Sequence, residues 1–394
     1  MRCPLCLSSL RLQPLFSHNN TFVSCGRLDS TPNLEKSHDY ACGNARIDLL
    51  QCVECGFIYN TAFDREKIQK EYSSKGYLSR KIVSNTMNAT LQTIKNAILH
   101  HYISMGGGGG IIEIAPGSGD LACSLAKDCE FLYTIDPSYV SLDFTATNNH
   151  LHIQSFFTLN AIRKHIKHDI KCIIFRHLLE HIDTPREFLE DVVSLVAQDG
   201  IIYIEVPNTL EFFENKRFYE VFHDHCGYYQ ESPLIYILNK LGCTHVETIM
   251  LYGKQHLGLF FKKMQTSVAN NKPIIMPQSI NTSMQQAIQN LNNKLSKYNN
   301  IALYGAGAHA NSLLSFLSLE NKLCILCCYD LDERKIDKYL QHSNIVIKKP
   351  CKTQYENIDC ILIAAPLYES EILSFLRKDG FRKDIIQSVD CRII

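Results

Sequence analysis

The sequence predicts an α/β chain of two doubly wound units in series, preceded by a small cysteine-bearing module. Three observations predict it. Apolar strands alternate with segments of helical period from about residue 106 to 262. Glycine-rich turns stand at two strand-to-helix junctions, Ala115-Pro116-Gly117-Ser118-Gly119 and Gly305-Ala306-Gly307. Two Cys-x-x-Cys pairs fall within the first 55 residues. The boundaries drawn are 1–65 for the module, 66–265 for the central unit and 266–394 for the last.

Charge and cysteine usage narrow the function. Lysine plus arginine and aspartate plus glutamate number 40 each, for a net charge of zero. A nucleic-acid binder carries a basic excess or stripe, so nucleic acid is not an expected partner. No apolar run of membrane length is present, nor a basic-plus-apolar leader. The expectation is a cytoplasmic protein, monomeric or a small homo-oligomer, with no membrane partner. Its 17 cysteines then read as thiols and metal ligands, not as disulfides.

In the module, Cys3-Pro-Leu-Cys6 and Cys52-Val-Glu-Cys55 are the two pairs. A Cys-x-x-Cys turn delivers two thiolates from one tight loop, and a tetrahedral Zn²⁺ takes four. The expected ligands are Cys3, Cys6, Cys52 and Cys55. Residues 7–51 exceed a short zinc ribbon, so a subdomain is inserted, and its Cys25 and Cys42 compete as ligands. So small a module has little core, and the ion stabilises its fold.

Residues 65–105 read as mostly helical, with Ile94, Ala97, Ile98 and His101 on one face. Within them Glu71 to Ser79 is a hydroxyl-rich segment containing Tyr77. Gly106 to Gly110 form a joint before the first strand.

Strands of the central unit are expected at 111–115, 131–135, 151–154, 171–176, 200–206, 243–250 and 256–262. Helices are expected to begin near Leu121, Thr158, Pro185 and Pro233. This order implies a mostly parallel sheet closed by a hairpin. At the first turn Ala115, Gly117, Ser118 and Gly119 let a ligand approach the main chain, with Glu113 supporting the turn. Asp136 ends the second strand, where a carboxylate takes both hydroxyls of a ribose. A nucleotide-like ligand follows from this pairing.

The last unit repeats the device. Ile301 to Tyr304 enters Gly305-Ala306-Gly307, His309 follows, and the next strand ends in Asp330. An NAD-dependent oxidoreductase would use Gly305, Gly307 and Asp330 in this way. A structural domain without ligand is the other reading.

Chemistry is expected at the carboxyl ends of the central strands. Arg176-His177-Leu-Leu-Glu180-His181 follows the fourth strand, and Glu205-Val206-Pro207 ends the fifth. Phe222-His223-Asp224-His225-Cys-Gly-Tyr228 is the densest polar-aromatic cluster of the chain. An aspartate between two histidines orients an imidazole and raises its basicity. A His-x-His metal site is the rival reading, although local spacing sets no third ligand.

Taken together and in order, these motifs resemble those of three-domain nucleotide-sugar C-methyltransferases, the makers of branched deoxysugars. Strand-Glu-Ile-Ala-Pro-Gly-Ser-Gly-Asp resembles motif I of class I S-adenosylmethionine methyltransferases. The resemblance implies a zinc-binding N-terminal domain, a class I (Rossmann-like) methyltransferase core and a Rossmann-like C-terminal domain. It implies S-adenosylmethionine at Glu113, Ala115, Gly117, Ser118, Gly119, Asp136 and His177. It implies a nucleotide-linked 4-keto-sugar near Phe222, His223, Tyr228, Gly305, Gly307, His309 and Asp330. By the same resemblance His225 is the base, Asp224 its orienting partner, His181 lies near the keto-sugar and Tyr77 closes over it.

Two departures stand out. The family reads Tyr-His-Glu-His where this chain has Phe222-His223-Asp224-His225. A hydroxyl is lost and a carboxylate shortened. Sugar O-methylation and turnover-free binding of a nucleotide-sugar are therefore carried as alternatives.

Overall fold

A computed structural model describes residues 2–9, 12–33, 45–72, 84–138, 148–264 and 272–394. Its central sheet has seven strands, in the order Cys243–Leu251, His256–Lys263, Ile201–Pro207, Ile170–Arg176, Gly110–Ile114, Phe131–Ile135 and His150–Ile153. Neighbours from Ile201–Pro207 to His150–Ile153 run parallel. His256–Lys263 is antiparallel to both of its neighbours. The seven expected strands are all present, each within a residue or so of its expected ends.

Continuous apolar runs make these strands central, because a parallel sheet is covered on both faces. Alternate residues face opposite ways. Ile112, Ile114, Ile173 and Phe175 pack under Phe188, Leu189 and Val192 of the helix Pro185–Leu195. Ile111, Leu132, Cys172 and Ile174 pack under Leu91, Ile94, Ile98 and Tyr102 of Asn85–Ser104. Burying one such aliphatic side chain contributes roughly 1.5–3 kcal/mol before the entropy of ordering it.

The glycine run before the first strand is tied down at its end. Gly109 has φ +91°, and a Cβ there would meet Asp169 O at 2.6 Å. Tyr102 OH donates to Gly109 O at 2.9 Å, and Gly109 N donates to Glu130 Oε2 at 2.6 Å.

The C-terminal sheet runs Asp384–Ile386, Cys360–Ile363, Ile301–Tyr304, Ile325–Tyr329, Val346–Lys348, Tyr339–Leu340. Leu28–Asp29, from the N-terminal part of the chain, adds its last strand. The rest of that part forms another sheet, Leu12–Thr21, Ala45–Cys52 and Ile58–Asn60, whose final strand is Gly227–Tyr228. The first 65 residues thus reach into both larger units. Leu15, Phe16 and Phe22 share a core with Leu303 and Leu313, while Leu5 and Phe57 share one with Leu234 and Ile237.

Strand order reverses between Gly110–Ile114 and Ile170–Arg176. The carboxyl ends of these two strands open a crevice where sheets of this kind take their ligands.

Candidate active site

The turn after the first strand is built from left-handed residues: Ala115 at φ 54°, Gly117 at 60° and Gly119 at 78°. Ala115 N donates to Ile135 O at 2.8 Å, which sets the turn beside the strand ending at Asp136. A Cβ on Gly117 would meet nothing within 4 Å, so the space above it is open. Ser118 Oγ donates to Asp120 Oδ2 at 2.7 Å, and Ser138 N to Asp136 Oδ1 at 2.7 Å. Beneath the turn Glu113 is buried, and burial pushes its carboxyl up to about 8. Its Oε2 has no hydrogen-bond partner among the described residues. Phe156, just past the strand His150–Ile153, is 75% exposed. A lone aromatic after a strand carries no local signal in the sequence.

At the other lip of the crevice His177 takes a left-handed backbone, φ 51°, and donates its N–H to Glu205 O at 3.0 Å. The turn Leu179–His181 then aims Glu180 and His181 inward. His181 Nδ1 lies 3.0 Å from Asp224 O, and its ring stands edge-on to His225 at 4.7 Å. Glu180, His181 and His225 bring one donor atom each within 4.8 Å of one another. Burial, and then the neighbouring His181, hold His225 well below the ordinary imidazole range. At neutral pH it is an uncharged ring with a lone pair to offer.

The carboxylate in this cluster is that of Glu180; Asp224 contributes its main-chain carbonyl. His223 turns away, its Nδ1 2.7 Å from Arg46 O and its ring stacked on Phe63. His223 and His225 therefore do not form a His-x-His chelate. Tyr228 OH donates to Phe222 O at 2.7 Å and accepts from Phe222 N at 3.0 Å, closing the loop that carries His225. Phe222 lays its ring 4.8 Å from that of His225. Asn60 clamps the same loop, its Nδ2 donating to His223 O at 3.2 Å and its N to Cys226 O at 3.1 Å. Tyr77 lies outside the described residues.

His309, at the start of the helix Ala308–Phe316, meets Glu220 Oε2 at 2.9 Å. Glu220 also pairs with Arg217, which is 1% exposed and bound to Glu211 as well. Sequence patterns gave no sign of this buried charge network, since its members are scattered among ordinary polar positions. Gly305 has φ +102°, and a Cβ there would strike Ala365 Cβ at 2.6 Å; Gly307 faces open space. Asp330 is spent inside its own unit: Oδ2 accepts from Ala306 N and Lys335 Nζ, Oδ1 from Asp332 N.

Near the amino end, Cys3 and Cys55 sulfurs are 3.8 Å apart, Cys6 and Cys52 3.7 Å. The edge of a tetrahedron of sulfurs about a Zn²⁺ at 2.3 Å is about 3.8 Å. The four residues fit that ion.

Residues 99–248 match the methyltransferase domain family. The central unit is an S-adenosylmethionine-dependent methyltransferase domain. Residues 297–386 match the family described as C2185-like, N-terminal. A curated relative, the C-methyltransferase NovU of Streptomyces niveus, is 29% identical over 82 residues, covering 21% of this chain. The match spans 20% of the relative's own length. Among solved structures, the N-methyltransferase NodS of Bradyrhizobium japonicum WM9 is 16% identical with a TM-score of 0.35, covering 45% of this chain and 98% of NodS. Magnesium protoporphyrin IX methyltransferase of Synechocystis PCC 6803, with bound SAM, is 14% identical with a TM-score of 0.37, covering 52% of this chain and 99% of that one. No helix among the described residues is long and apolar enough to cross a membrane.

Proposed function

We propose that this chain transfers a methyl group to a nucleotide-activated sugar, at a carbon beside a ketone. The observation that carries the reading is the pair His181 and His225, both half-buried at the crevice of a methyltransferase domain, with Phe222 beside His225 and against His309 of the helix Ala308–Phe316. The short likeness to a C-methyltransferase supports it.

Ala115, Gly117, Ser118, Gly119 and Asp136 would hold S-adenosylmethionine, which would supply an electrophilic methyl and leave as S-adenosylhomocysteine. Phe156 would offer a flat face for its base. The remaining work belongs to side chains. A C–H beside a ketone is lost only to a placed base, with the developing oxygen charge offset. His225 takes that proton on a ring nitrogen, becoming an imidazolium that Glu180 stabilises. His181, oriented through Nδ1 by the carbonyl of Asp224, directs Nε2 toward the sugar. Phe222 keeps water from the base. The diphosphate would dock at the open face of Gly307, near His309, while Gly305 packs against Ala365 and shapes the turn.

Cys3, Cys6, Cys52 and Cys55 would hold a Zn²⁺ that fixes the module. Through Asn60 and the Gly227–Tyr228 strand, the module in turn fixes the His225 loop.

Phe222 favours a second reading. A phenyl where the family has a phenol removes one donor, worth about 3 kcal/mol to a developing oxyanion. A hydroxyl acceptor needs the base and not that donor, which makes O-methylation the alternative. Label transfer to matched 4-keto and reduced nucleotide-sugars separates the two. Activity on reduced sugars alone overturns C-methylation.

A further inference from the structure

Glu205 ends the strand Ile201–Pro207 with no exposed surface. Arg176 Nε holds its Oε2 at 2.5 Å, and Tyr203 OH lies 3.5 Å from the same oxygen. The other oxygen, Oε1, faces two imidazoles: His177 Nε2 at 3.0 Å and His256 Nδ1 at 3.5 Å. The two rings stand at 67° with centroids 4.8 Å apart. Three donor atoms from three different strand ends thus converge within 4.8 Å. On the far side of His177, Nδ1 lies 3.8 Å from Glu180 Oε1.

This is how a metal centre is braced. A ligating carboxylate is fixed through its second oxygen, and a ligating imidazole turns its other nitrogen to a carboxylate. Arg176 does the first for Glu205; Glu180, 3.8 Å from His177 Nδ1, is an electrostatic neighbour of that ring and not a hydrogen-bond partner. The left-handed backbone of His177 costs about 1–2 kcal/mol and delivers the ring to this point.

We propose that His177, Glu205 and His256 bind a divalent transition-metal ion of the Zn²⁺ or Ni²⁺ class. Two imidazoles and one carboxylate suit such ions, and three protein ligands leave a position for an oxygen donor. His177 is 29% exposed, so the site is open on that side. Arg176 cancels the charge of Glu205, so this site binds more weakly than the four cysteines. The assignment stands on these side chains and is independent of the methyl-transfer reading.

The test is a Co²⁺ titration of the full chain followed by absorption. Two equivalents are expected. One gives intense near-ultraviolet thiolate-to-cobalt bands; the other gives only weak visible bands, as nitrogen and oxygen ligands do. In His177→Gln/His256→Gln the second equivalent disappears while the thiolate bands, which report a folded module, remain. Wild type saturating at the thiolate equivalent overturns the proposal without any variant. So does a second equivalent that survives the double substitution.

Discussion

The imidazole of His309 meets the carboxylate of Glu220 at 2.9 Å, joining the helix Ala308–Phe316 of the C-terminal unit to the segment that leads into His225. Burial by itself would raise the Glu220 carboxyl, but His309 and Arg217 outweigh it and hold it at about 2. Because the folded value lies below the ordinary carboxylate value of 4.5, this pairing stabilises the fold above about pH 4.5. The contribution is lost as pH falls toward 2.

Glu220→Gln leaves Arg217 buried with Glu211 as its remaining carboxylate. Removing one partner of a buried pair costs about 3 kcal/mol. Urea unfolding at pH 7 should show a loss of that order, shrinking as the pH is lowered toward 2. A variant as stable as wild type at pH 7 would refute the role given to this network.

Glu113 gives the opposite pH dependence. Burial raises its carboxyl to about 8 from an ordinary 4.5, so the folded state binds the extra proton between those values. The unfolding free energy of the cofactor-free protein should therefore fall as pH rises through that window, by at most about 1.4 kcal/mol per unit from this group. Glu113→Gln should flatten the slope while weakening S-adenosylhomocysteine binding. An unchanged slope in the variant excludes Glu113 as its source.

The four cysteines act at a distance from the chemistry. Cys52→Ser/Cys55→Ser should lose the zinc and loosen the sheet that ends in Gly227–Tyr228. Turnover should drop about tenfold or more, while S-adenosylhomocysteine still binds calorimetrically, since its turn lies in another sheet. Full turnover in a zinc-free variant would show that the module does not position His225.

Much of this was legible in the sequence. Strands such as Ile170–Arg176 and Ile201–Pro207 are unbroken apolar runs, and that pattern belongs to a parallel sheet. The left-handed residues at Gly117, Gly119 and Gly305 follow from the turns they make. Neighbours distant in sequence were not legible. Leu28–Asp29 completes a C-terminal sheet whose other strands begin at Ile301, and no local pattern announces that pairing. In the loop that carries His225, adjacency suggests Asp224 as the partner of that histidine. The turn Leu179–His181 also brings Glu180 to His225, a neighbour that adjacency does not announce. His223 faces Arg46 because the N-terminal module packs on that side, again a tertiary fact. Arg217 and Glu220 sit among polar residues that look like a solvated surface until the C-terminal unit covers them.

The central claim is that His225 is the base for methyl transfer to a keto-sugar. The direct measurement is transfer of labelled methyl from S-adenosylmethionine to 4-keto nucleotide-sugars by wild type and His225→Asn. Wild type should label at least one keto substrate at carbon. The variant should lose roughly 10²–10⁴-fold in rate while binding cofactor and nucleotide-sugar as before. Labelling that survives His225→Asn at the wild-type rate, or that occurs on reduced sugars alone, would contradict the account.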